Sequence, residues 1–187
     1  KKQVFCLLVS WLFFTMGFKR IAVPAVVGAA MLYIGLCLWK PKHLRALANI
    51  MALATGGGIF FYLWFIKSGN FVELANELEI NMMYRDVIYT YFSDFFELVP
   101  TYIGRGIRFI YTYCTEDPSY NLAVTALHNV YMETYIEVGF WCWWIWILFE
   151  LAFRIHRVEE RYTEMPAYAL MSMNLYVFVT YLTDNTL

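Results

Sequence analysis

The chain has 187 residues, 61% hydrophobic and 20% aromatic, with a formal net charge of −1. Soluble domains are usually about 45–50% apolar, and here the excess arrives in long blocks, which points to a membrane protein. A charge near zero offers no field to nucleic acid. Cys6, Cys37 and Cys142 in apolar runs, with Cys114 alone in a polar stretch, argue against a disulfide scaffold or a cysteine metal site.

A membrane span needs roughly 20 apolar residues, each rising about 1.5 Å. In chain order the predicted spans are a short Val4–Phe18, then Ile21–Trp39, Ala46–Ile66, Val130–Phe153 and Ala167–Leu187. The expectation is an all-α membrane protein of about five spans. Three spans fill residues 1–66, a polar segment covers 67–127, and two spans fill 128–187. Another span follows the first run without a small-residue cleavage site, so a signal peptide is not expected. Lys1-Lys2 without a methionine, and the end "YLTDNTL" with no charged tail, read as cuts through a larger multi-spanning domain.

Basic residues set the orientation. Lys40, Lys42 and Arg45 follow the second span, and Arg154, Arg157 and Arg161 follow the fourth. Both groups fall on one side, taken as cytoplasmic, which places 67–127 outside. Lys19-Arg20 also falls outside, against the usual bias.

Within the external segment, "YRDVIYTYFSDFFEL" places Val87, Ile88, Tyr91, Phe92, Phe95 and Phe96 at the spacing of an amphipathic helix. Such a helix lies on the membrane surface or packs over the bundle. Pro100 ends it, and "GRG" and "EDPS" mark later turns. Gly56-Gly57-Gly58 in the third span permits a close helix contact or a local break.

"LHNVYMETYIEVGF" carries the most chemistry. His128 opens the fourth span, with Tyr131, Met132 and Tyr135 expected on its side. At a water edge a histidine can take a proton from an attacking hydroxyl; a capping histidine beside an aromatic belt is the plainer alternative. Glu133 and Glu137 share a helical face and suit the dipole of the first turn or a basic partner. Their spacing from His128 is not that of a zinc motif. Arg20, Arg85, Arg105 and Arg108 all fall outside, where several guanidinium forks around one pocket would hold a diphosphate. Asp184 and Asn185, deep in the fifth span, would face a bundle interior or cavity.

With these residues placed, the chain resembles the C-terminal half of the O-antigen ligase/polymerase family of bacterial multi-spanning glycosyltransferases. "FKRIAVPAVV" is similar to its arginine motif at Arg20. Arg85 followed by Tyr89 is similar to its second arginine. "PTYIGRG" resembles its P-x-x-x-G-x-G stretch, and "HNVYMETYIEVG" its histidine-asparagine motif with a later glutamate and glycine. The resemblance implies a partial GT-C-like fold in the bacterial cytoplasmic membrane, with the active site on the extracytoplasmic face. It implies an undecaprenyl-diphosphate-linked oligosaccharide as donor, no nucleotide sugar, no metal and no other cofactor. Arg20 and Arg85 would steady the departing diphosphate, and His128 would orient or deprotonate the acceptor hydroxyl. Lys19, Arg105, Asn129 and Tyr131 are assigned to substrate binding, although Arg105 occupies the variable position of G-x-G. The lipid bilayer and other polysaccharide export proteins are the remaining expected partners.

The activity expected is polymerisation of lipid-linked repeat units into O-antigen, capsule or exopolysaccharide. A ligase passing the finished chain to lipid A-core is the near variant. A transporter of the same lipid-linked sugar would need polar residues through the middle of its spans, and here they gather at the outer ends. A non-catalytic scaffold would tolerate changes at Arg20, Arg85 and His128.

Overall fold

The computed structural model describes residues 22–80, 82, 84–117, 120, 122 and 127–182. The expected first span, Lys19, Arg20, Asp184 and Asn185 lie outside the described residues. In order, the helices are α1 (Ala22–Trp39), α2 (Leu44–Lys67), α3 (Asn70–Glu77), α4 (Arg85–Ser93), α5 (Phe109–Glu116) and α6 (Val130–Leu148). A π-helical turn, Phe149–Phe153, leads into α7 (Arg154–Arg161), and α8 is Glu164–Thr180. There is no strand among the described residues.

Among the described residues, three helical stretches are long and apolar enough to cross a membrane: α1, α2 and the run Val130–Arg161. The chain is accordingly a helical membrane protein. The expected fifth span, Ala167–Leu187, is described as far as residue 182, and its helix α8 has 17 residues and begins three residues earlier, at Glu164. α1 is apolar on every side, and only Ala25 and Leu36 are buried in it. Its Val27, Met31, Ile34 and Leu38 are exposed, as on a helix that meets lipid or further helices.

α2 is the central post. Its buried residues Ala48, Ala52, Gly56, Ile59, Leu63 and Ile66 form one stripe at three- and four-residue spacing. The glycine triplet does not break it. At Gly56, Trp144 and Ile147 of α6 occupy the space a side chain would need, so close packing is what the small residue serves. Lys67 at the end of α2 donates through Nζ to the carbonyl oxygens of Ser93 (2.8 Å) and Phe96 (2.6 Å). That contact holds the end of α4 onto α2 and satisfies carbonyls the helix leaves open.

α4 is shorter than the periodicity predicts, ending at Ser93. It packs over the bundle with Ile88, Tyr89 and Phe92 buried, and Phe96 is buried just beyond it. Val87, expected on the apolar face, is exposed, while Tyr89 takes a buried place.

α6 is broken at Gly139, whose φ of 76° and ψ of −178° are not helical. The broken ladder is repaired by the segment after Pro100. Arg105 N donates to Ile136 O (2.8 Å), Gly106 N to Glu137 O (3.0 Å), and Phe140 N to Tyr102 O (2.9 Å). The Tyr102 hydroxyl also donates to Ile136 O, at 2.8 Å. Gly104 and Gly139 face one another so closely that a Cβ on either would meet the other's backbone. The two glycine motifs are thus two halves of one joint. Farther along, the π-helical turn frees Glu150 O, which accepts from Asn174 Nδ2 at 2.8 Å. The helix therefore runs on through Phe153 to Arg161 rather than stopping at the expected span end.

The two basic clusters do share one end of the bundle. Arg45 pairs with Glu159 at 3.2 Å and Glu160 at 3.1 Å. Gly104→Ala and Gly139→Ala should each cost about 3 kcal/mol or more, from the positive φ and the backbone clash together. Gly57→Ala, with open space around it, should be neutral or gain up to about 1 kcal/mol. Thermal unfolding in detergent, followed by tryptophan fluorescence, separates the three.

Candidate functional site

The site is built where α6 begins. Asn129 is the N-cap of α6, and its Oδ1 accepts from Met132 N at 3.1 Å, the ordinary capping contact. Asn129 is fully buried, so its amide nitrogen also needs a partner. Nδ2 donates to the Tyr62 hydroxyl at 3.4 Å. The Tyr89 hydroxyl hydrogen-bonds with both Asn129 and Tyr62, and the charge of Arg85 acts on both tyrosines. Four residues from three elements thus meet: Arg85 and Tyr89 from α4, Tyr62 from α2, and Asn129 before α6. Beside them the end of α8 closes the helix start, with Tyr181 O accepting from Val130 N at 3.2 Å.

Burial pushes the Tyr89 hydroxyl above its usual range, while Asn129, Tyr62 and the Arg85 guanidinium oppose that shift. The buried phenols thus lie within the field of the Arg85 guanidinium.

His128 precedes the cap. It is half-buried and its φ is +54°, a left-handed backbone in which histidine is more tolerated than most side chains. It therefore stands outside the helical run of α6. Tyr84, just before Arg85, has φ +70° and caps α4. Both residues flanking the cluster thus hold an uncommon backbone, of the kind that persists where surrounding structure enforces it.

Tyr131 faces away from this group. Its buried hydroxyl donates to Phe178 O of α8 at 2.7 Å, and its ring lies among Trp146, Phe178 and Tyr181. Arg105 is exposed. Its Nε donates to Phe95 O at 3.1 Å, and its guanidinium lies over the rings of Phe95 and Phe109. It borders a cleft of about 350 Å³ with Asp94, Glu97 and Thr101. Glu137 does serve a helix start, but that of α5: its Oε1 accepts from Ile110 N at 3.3 Å. Arg108 stacks on Tyr111, 4.9 Å from the ring centre. Cys37, Cys114 and Cys142 are free thiols.

Of the predicted site residues, the structure gathers Arg85 and Asn129, with His128 adjoining through the chain. Tyr62 is an addition. The signal for Tyr62 was a hydroxyl near the end of an otherwise apolar span, a place where polar groups find partners. No protein-family model, curated protein or solved structure matches the chain.

Asn129→Ala should lose about 1 kcal/mol of cap energy and a further 1–3 kcal/mol or so from unpaired phenols. A double-mutant cycle with Tyr62→Phe, read by thermal unfolding, should show positive coupling of about 0.5 kcal/mol or more. The outer tyrosines predict an alkaline limb as well. The Tyr91 hydroxyl, bonded to that of Tyr113 at 2.8 Å, is pushed up to about 12 by that bond and then by burial. It binds its proton more tightly folded than unfolded, so its stabilisation is full below about pH 10 and is lost as pH rises from there towards 12. Tyr91→Phe should flatten the fall in stability over that window.

Proposed function

We propose that the chain is part of a membrane glycosyltransferase that polymerises undecaprenyl-diphosphate-linked oligosaccharide units on the outer face of the bacterial cytoplasmic membrane. One observation carries the reading: Arg85 of the loop and the His128-Asn129 motif are joined through Tyr62 and Tyr89 at one end of the bundle. A cation and a proton-exchanging imidazole at one helix end are what transfer from a lipid diphosphate requires.

In the reaction, an acceptor hydroxyl oxygen forms a bond to the anomeric carbon of the donor sugar. The bond from that carbon to the lipid diphosphate breaks, and the electron pair leaves with the diphosphate. Arg85, with Arg20, offsets the charge that grows on the leaving group; fixed donors of this kind act strongly where water is excluded. His128 takes the proton from the acceptor hydroxyl. Asn129 positions both, holding the chain beside His128 and, through the two tyrosines, the surroundings of Arg85. The aromatic shell of Phe60, Tyr135, Trp143 and Trp144 fixes the start of α6 against α2.

The test uses full-length protein in membranes, with a lipid-diphosphate-linked oligosaccharide as the donor and a gel to resolve products. His128→Asn is the informative variant, because asparagine tolerates a positive φ; loss of product then reports chemistry and not backbone. His128→Asn and Arg85→Gln should each lower the rate about 10²–10⁴-fold at equal expression, and Arg108→Gln should leave it unchanged. Equal ladders from parent and His128→Asn would remove the histidine from the mechanism. Product formed only when lipid A-core is supplied would make the enzyme a ligase.

A further inference from the structure

The opposite end of the bundle carries a second feature that the glycosyltransferase reading does not use. We propose that α7, the π-helical turn and α8 form a binding site for an anionic phospholipid, headgroup at the arginines and acyl chain along the groove. Arg154, Arg157 and Arg161 are spaced by three and four residues and so share one face. The acidic residues of the same helix are turned elsewhere: Glu159 and Glu160 are both taken by Arg45 of α2. His156 is turned the same way, with Nε2 3.3 Å from Arg45 O.

The arginine face lines a hollow of about 620 Å³ closed on the other side by Ala169, Leu170 and Met173 of α8. One carboxylate also borders it, Glu150, and this is paired with Arg154. Arg157 lies over the Phe153 ring at 5.4 Å, which leaves its fork directed by stacking rather than by an acid. Among the described residues no carboxylate pairs with Arg157 or Arg161, which therefore carry the unneutralised charge of the hollow. A second hollow, bordered by Trp146 and Phe178, shares Glu150, Arg154, Leu170 and Met173 with the first. The cavity is thus cationic at its mouth and apolar along its length. That shape and polarity match an amphiphile with a phosphate head, and basic pockets between membrane helices take such lipids. A free phosphate would use the mouth and leave the groove empty.

The inference is independent of the proposed activity, and its test does not read activity. Full-length protein in detergent is titrated with phosphatidylglycerol or with phosphatidylcholine of the same acyl chains, and bound lipid is counted by native mass spectrometry. Phosphatidylglycerol should bind the tighter, and Arg157→Gln/Arg161→Gln should weaken it by about fivefold per arginine removed. Both positions are exposed, so the variant should fold as the parent does. Arg108→Gln, at the other end, should change nothing. Ala169→Phe should displace phosphatidylglycerol by filling the groove while the arginines remain. Equal binding of the two lipids, or full binding by the double variant, would overturn the proposal. So would glycerol phosphate competing as well as the whole lipid, because the site would then be one for anions alone.

Discussion

The break in α6 at Gly139 is the constraint around which the rest is arranged. A helix interrupted within an apolar bundle exposes backbone donors and acceptors that water cannot reach, and each costs free energy unless paired. Here the pairing comes from residues 102–106, so the loop cannot be placed anywhere else. Docking of that segment also seats the residues on either side of it. Tyr135 donates to Glu97 O at 3.0 Å, and Glu137 meets the start of α5. Loop and helix are therefore one unit, and α4, tied to α2 by Lys67, is brought over the start of α6.

That placement decides where polarity can be buried. Asn129 has more hydrogen-bonding capacity than its cap uses, and it lies fully inside. Tyr62 and Tyr89 absorb the surplus, and Arg85 lends the network a charge that favours its phenol oxygens. Each group satisfies another's requirement, so removing one leaves several unpaired.

The bundle is polarised along α2, whose 24 residues separate its ends by about 36 Å. One end gathers Arg85, His128 and Asn129. The other gathers Arg45 with Glu159 and Glu160, and turns the remaining arginines of α7 towards an apolar groove. The same residue type thus serves different surroundings at the two ends: enclosed by phenols at one, lining an open hollow at the other.

The sequence by itself determined the membrane character and the positions of α1, α2 and the start of α6, and it singled out Arg85 and His128-Asn129 as candidates. Apolar block length, caps and basic clusters are local properties, legible without partners. It also marked "PTYIGRG" and "EVG" as separate motifs. Only the tertiary structure decided that they are one joint, because the need for glycine at 104 comes from the backbone of 137–139 and not from its neighbours in the chain. The same holds for Tyr62, Tyr131 and Glu137. Tyr62 reads locally as a filler, Tyr131 as a substrate-binding hydroxyl and Glu137 as a helix-end charge, and each takes its contact from a residue tens of positions away: Asn129, Phe178 and Ile110. A hydroxyl in an apolar run announces only that it needs a partner; which partner it finds is settled by packing.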